Sequence, residues 1–140
     1  MPDSPKDLLN RFYEAVNAGD LDALDVLLAD DVVEHESFPG IEPNKEGIKQ
    51  VFAMFRSAFP NLRMEAHELI AEGGLVCARV TTTGTQDGEF MGMPPSGKQV
   101  EVEMIDIVRV ADGQVVEHWG VMDSMTMMQQ LGAMPEEAPV

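Results

Sequence analysis

The chain has 140 residues, of which 44% are hydrophobic and 24% charged, the composition and length of one globular domain rather than of a disordered segment. Nine Lys and Arg against 25 Asp and Glu leave a formal net charge of -16, so phosphate backbones and anionic headgroups repel the molecule and neither nucleic acid nor membrane is expected as a partner. No stretch approaches the ~18 to 20 apolar residues of a membrane span. The N-terminal run MPDSPKDLLNRFYEAV lacks the basic start and apolar core of a secretory signal. Cys77 is the lone cysteine and cannot form an internal disulfide, which fits a reducing, cytoplasmic setting.

Ser4-Pro5 ahead of an apolar run reads as a helix start, with Ser4 as N-cap and Pro5 at the first helical position. Leu8, Leu9, Phe12, Tyr13 and Val16 recur at helical spacing, and Ala18-Gly19 ends that helix. Asp20 caps a second, short helix with Leu21, Leu24, Leu27 and Leu28 on one face. Asp30-Asp31 breaks it, and Val32 to His35 reads as a short strand. After a loop from Phe38 to Asn44, a third helix runs from about Lys45 to Ala58 and stops at Phe59-Pro60-Asn61.

From Leu62 the period changes to two. Leu62 to Glu72 and Leu75 to Thr85 form strands joined at Gly73-Gly74, and Asp87 to Lys98, with its glycines and prolines, forms a loop. Gln99 to Val110 and Gln114 to Met122 flank Asp112-Gly113, a strong signal for a two-residue hairpin turn. Met125 to Leu131 gives a final helical turn or two. Helices first and antiparallel strands afterwards predict a single α+β domain over residues 1–140. Its helices close one face of a curved antiparallel sheet around an apolar pocket.

A two-residue turn at Asp112-Gly113 pairs residues whose numbers sum to 225. Asp106 then faces Trp119, and Val108 faces Glu117. Strict alternation puts Val102, Met104, Asp106, Val108, Glu117, Trp119, Val121 and Asp123 on the pocket face. His118 and Arg109 fall on the other face. Carboxylates on a mostly apolar face are solvated, paired or raised in pKa, and a raised pKa suits an acid/base working near neutral pH. Asp123-Ser124 equally has the form of a helix cap.

Five segments then carry a family resemblance: VNAGDLDALDVLLADDVVEH, GIKQVFAMFRSAFPNL, GEFMGMPPSGKQVEV, IDIVRVADGQVVEHWGVMD and MMQQLGAMP. In this order, over about Leu8 to Pro135, the chain resembles the SnoaL-like polyketide cyclases of the NTF2-like, ketosteroid-isomerase-like superfamily. The resemblance implies a cone-shaped α+β barrel, a homodimer, and ring closure of an aromatic polyketide ester by intramolecular aldol condensation without metal or organic cofactor. An aspartate is the acid/base in such sites. Asp123 is the position the resemblance indicates, with Asp106 as the second choice. In the antibiotic-pathway cyclases a histidine stands where this chain has Asp106.

His35 at the pocket rim, Tyr13 on the first helix and Trp119 as an aromatic wall are the candidate substrate-binding residues. Each also has a plain structural explanation: a strand end, a core aromatic and a packing residue. The three histidines occur singly, with no HxH, HxxxH or CxxC spacing, so no metal site is expected. Eleven methionines suit an adaptable pocket for a small apolar or polyketide-like molecule. Two other functions share these features. One is a binding protein with the same pocket and no chemistry. The other is an epoxide hydrolase using Asp106, Arg109 and Asp123.

Overall fold

Side chains fix where each helix begins. In the computed structural model, which describes residues 4–36 and 38–133, α1 (Pro5–Ala18) starts at Ser4. The Ser4 hydroxyl accepts from the Asp7 backbone N–H while the Asp7 carboxylate accepts from the Ser4 N–H, a reciprocal cap. The side chains of Asp20, Asn44 and Asp123 cap α2 (Leu21–Leu27), α3 (Lys45–Ala58) and α4 (Ser124–Gln130) by accepting from the backbone N–H of Ala23, Gly47 and Thr126. Gly19 ends α1 in the left-handed conformation.

The strands are β1 (Leu28–Glu34), β2 (Arg63–Glu72), β3 (Leu75–Thr85), β4 (Gln99–Ala111) and β5 (Gln114–Met122), ordered β1-β5-β4-β3-β2 in one sheet. Four of them pair antiparallel in chain order, as expected. β1 joins the edge parallel to β5. It begins at Leu28, so Leu28 leaves the helical face expected for it, and Asp30-Asp31 lie within the strand rather than before it. Asp112 and Gly113 both have positive φ, 53° and 75°, the twist a two-residue hairpin needs.

β4 shows how the sheet divides inside from outside. Val100, Val102, Met104, Asp106 and Val108 are buried, while the odd-numbered residues from Gln99 to Arg109 are exposed. α1 and α3 cover the inner face with Leu8, Leu9, Phe12, Tyr13, Ile48 and Phe55, and these share one core with the inner strand residues. Phe55, Phe59 and Phe90 close the core under the 86–98 loop, with ring centroids 5.2 to 6.3 Å apart. Gln86 is buried within that loop, held by the carbonyls of Gly88, Met93 and Pro94 and by the Ser96 hydroxyl.

Candidate active site

One extra residue in β5 determines which side chains face the cavity. Ala111 pairs with Gln114 and Val110 with Val115, but Arg109 then pairs with Glu117, Val108 with His118, Ile107 with Trp119 and Asp106 with Gly120. Val116 is the bulged residue; both Val115 and Val116 pack on the core. Because strand side chains alternate, a one-residue slip reverses every later position. His118, Gly120 and Met122 therefore face inward, while Glu117, Trp119 and Val121 face outward.

The inward residues meet β1 and α1 at one end of a cavity. His118 Nε2 lies 2.9 Å from Asp106 Oδ1, and His118 Nδ1 lies 2.6 Å from Glu34 Oε1. The Tyr13 hydroxyl donates to Asp106 Oδ2 at 2.7 Å. The Glu36 backbone N–H donates to Glu34 Oε1 at 2.9 Å. Asp106 is 3% exposed, so its carboxyl group is buried, and Tyr13 and His118 supply the partners that burial requires.

Electrostatics order the protons in this group. Burial favours neutral His118, but hydrogen bonds to Asp106 and Glu34 and their two charges outweigh it and push the imidazole up to about 10. His118 is therefore an imidazolium at neutral pH, donating from both ring nitrogens. Burial, then the Asp106 charge and hydrogen bond, push the Tyr13 phenol far above its ordinary value, so it remains a donor. Burial, with the Asp106 and Glu34 charges, pushes Glu36 up to about 7 against the opposing pull of His118. Glu36, Asp106 and His118 place potential ligand atoms within 4.8 Å of one another. Both His118 nitrogens are already engaged by the carboxylates of Asp106 and Glu34.

The cavity lies between the helices and the inner face of the sheet. Phe12, Phe38, Phe52, Phe55, Met104 and Met122 are among its apolar walls, and Glu34, Glu36, Asp106 and His118 are gathered at its polar end. This is the form of a small-molecule site: apolar walls that bury a ligand and a few convergent polar groups that orient it.

Residues 7–131 match the family model of the SnoaL-like polyketide cyclases. The chain belongs to this family. It is 26% identical over 120 residues to the nogalonic acid methyl ester cyclase of Streptomyces nogalater, covering 84% of this chain and 90% of that protein. It is 31% identical over 136 residues to the aklanonic acid methyl ester cyclase DauD of Streptomyces sp. (strain C5), covering 90% and 80%. Wild-type IdmH from Streptomyces antibioticus is 37% identical, superposes with a TM-score of 0.82, and is matched over 93% of this chain and 99% of its own. The SnoaL-like chain thus has the cone-shaped NTF2-like fold expected of it.

The structure brings together two of the five residues that the sequence pointed to, Tyr13 and Asp106. Asp123 is corrected: it is exposed, outside the cavity lining, and its two carboxylate oxygens bind the Thr126 backbone N–H and hydroxyl at the head of α4. Those hydrogen bonds hold its carboxyl below the usual range, the reverse of a raised acid/base. Trp119 is corrected for the reason given by the bulge, since it lies on the outer face of the sheet. His35 is there too, its ring stacked on Trp119 at 4.8 Å and its Nε2 bonded to Glu117 Oε2 at 2.8 Å. Arg109 also lies outside, bonded to Glu117 and 5.9 Å from the Trp119 ring, so the Asp106–Arg109–Asp123 set of an epoxide hydrolase is not assembled.

Strict alternation along β5 points His118 outward, whereas the bulge turns it toward the cavity. Glu34 and Glu36 carry a legible signal, the two-residue spacing that places both on one face of an extended segment. What the sequence does not show is which face, or that β5 lies alongside.

Proposed function

We propose that this chain is a cofactor-free polyketide cyclase that closes a ring in an aromatic polyketide ester by intramolecular aldol condensation. The observation that carries this reading is the apolar cavity ending in the Asp106–His118–Glu34 cluster, with Glu36 and Tyr13 beside it. The substrate's carbon between two carbonyls is already acidic. A base removes its proton, the enolate attacks a second carbonyl of the same molecule, and the new alkoxide takes a proton back. The product is an isomer of the substrate, so no electron carrier is consumed. The His118 cation, fixed between Asp106 and Glu34, offsets the charge of these two carboxylates at the cavity end. Asp106 holds His118 and Tyr13 in place, and the apolar walls fold the substrate so that the reacting carbons meet.

Aklanonic acid methyl ester and nogalonic acid methyl ester are the substrates to test first, being those named for the relatives. Conversion to a product of unchanged mass and altered absorbance, lost in Asp106→Asn, is the expected result. Tight binding with the ester returned unchanged after hours would sink the cyclase reading. It would favour a ligand-binding protein instead, a reading supported by the fact that both Asp106 oxygens already accept hydrogen bonds.

The reading includes a homodimer formed through the outer face of the sheet, in a reducing, cytoplasmic setting where Cys77 stays a thiol. Ile70, Cys77, Ile107 and Trp119 pair in one row across β2, β3, β4 and β5. Ile105 and Val121 add exposed apolar surface beside it. Sedimentation at micromolar concentration should give twice 15.3 kDa; a monomer's mass would dispose of the dimer and leave the cavity chemistry untouched.

A further inference from the structure

Gly120 faces the cavity opposite Asp106 in the β4–β5 ladder. A Cβ at this position would run into Glu36 Oε1 and stand 2.9 Å from Asp106 Oδ1. Gly120 is not among the residues with positive φ, so what glycine supplies here is space rather than backbone freedom. The Glu36 carboxyl, arriving from the loop after β1, occupies the place where a β5 side chain would point.

The commitments of the two neighbouring carboxyls differ. Asp106 Oδ1 accepts from His118 and Oδ2 from Tyr13. The Glu36 carboxyl lines the cavity, and among the described residues no side chain hydrogen-bonds it. A proton carrier must reach the reacting carbon and must be able to gain and lose its proton without first breaking its own supports. From this placement we infer that Glu36 is the group that takes the proton from the reacting carbon and returns it to the new alkoxide, with Gly120 as the positioning residue that makes room for it.

The inference rests on the cyclase reading. Glu36 carboxylate accepts the carbon-bound proton and becomes the acid; the released electron pair forms the enolate. Carbon–carbon bond formation turns the second carbonyl into an alkoxide, which takes the proton from Glu36 and restores the carboxylate. The charged groups around Glu36 are Asp106 from β4, His118 from β5 and Glu34 from β1. Glu42 lines the same cavity from the loop before α3, and Ile48, Val51 and Phe52 of α3 are apolar. Burial and the neighbouring carboxylates bring Glu36 to about 7, so both protonation states are populated at neutral pH.

The test pairs a titration with a partial reaction. Side-chain carboxyl ¹³C shifts, assigned with Glu36→Gln, should show a Glu36 midpoint near 7. In Gly120→Ala, where the flexible carboxyl has to swing aside, the midpoint should fall toward the ordinary 4.5. Methyl benzoylacetate, an aryl β-keto ester, reports proton abstraction alone through deuterium exchange at the carbon between its carbonyls. The wild-type protein should accelerate this exchange. Glu36→Gln should lose at least about 100-fold of the acceleration, Glu36→Asp should restore part of it, and Gly120→Ala should shift its pH midpoint downward. A wild-type midpoint near 4.5, or Glu36→Gln exchanging at the wild-type rate, overturns the role of Glu36 alone. No exchange by wild type despite a midpoint near 7 overturns the cyclase reading, and the catalytic role falls with it.

Discussion

His118 reaches Asp106 at 2.9 Å although the two are not paired across the ladder: His118 stands opposite Val108, and Asp106 opposite Gly120. The contact is a diagonal between neighbouring inward positions, open because Gly120 carries no side chain. It exists only on the bulged side of Val116.

Deleting Val116 should therefore remove the bulge without turning β5 over, because Glu117 then follows Val115 directly as the partner of Arg109 and His118 stays opposite Val108. The shortened protein should keep a histidine that titrates near 10 by NMR and an outward Trp119. Loss of that histidine signal together with a blue-shifted Trp119 emission would contradict the bulge assignment.

Stability should fall as pH rises across the neutral range. Glu36 is raised from 4.5 to about 7, so between those values the folded state holds more protons than the unfolded chain, and its contribution is lost as pH climbs through that window. His118 is raised from 6.5 to about 10; its contribution is complete below 6.5 and lost as pH rises toward 10. Denaturant titrations at pH 5, 7 and 9 check both. Glu36→Gln should flatten the lower part of the profile and be more stable than wild type at pH 8, by on the order of 2 kcal/mol.

Replacing His118 removes the charge between two carboxylates. His118→Gln should cost about 3 to 5 kcal/mol at pH 7, because Glu34 and Asp106 are left facing each other in a buried site. The loss should shrink at pH 4, where protons can take the cation's place. An equal cost at both pH values would mean that packing, not charge, is what His118 supplies.

Tyr13→Phe removes one hydrogen bond to a buried carboxylate and keeps the ring. About 2 kcal/mol of stability should go. Because Tyr13 contacts Asp106 rather than lining the cavity, ligand affinity should change less than the turnover rate. A large rise in KM at constant kcat would instead indicate a direct substrate contact.

Asp123→Ala should leave turnover and its pH profile close to wild type, with a small fall in Tm from the lost α4 cap. Loss of turnover in a folded Asp123→Ala protein would return Asp123 to the catalytic set.

Asp106 is legible in the sequence as a charged residue on an apolar strand face, which needs partners, whereas Tyr13, expected to contact substrate, gives its hydroxyl to Asp106 and does not line the cavity. His118 and Trp119 were exchanged because alternation was carried straight through Val115-Val116. Two adjacent β-branched residues fit either phase of a strand, so the local pattern does not reveal a bulge. Asp123 shows the opposite case, in which local chemistry suffices: the Asp-Ser pair at a helix start describes its hydrogen bonds fully.

The sequence by itself determined the Ser4 and Asp20 helix caps, the Asp112-Gly113 turn, the extents of β2 to β5 and the family, because these depend on residues close together in the chain or on segments in a fixed order. Only the tertiary structure decided which carboxylates meet His118 and where Glu36 comes to rest. Those choices depend on a one-residue bulge, on the parallel pairing of β1 with β5, and on the space above Gly120. All three are relations between distant segments, for which periodicity along a single strand holds no record.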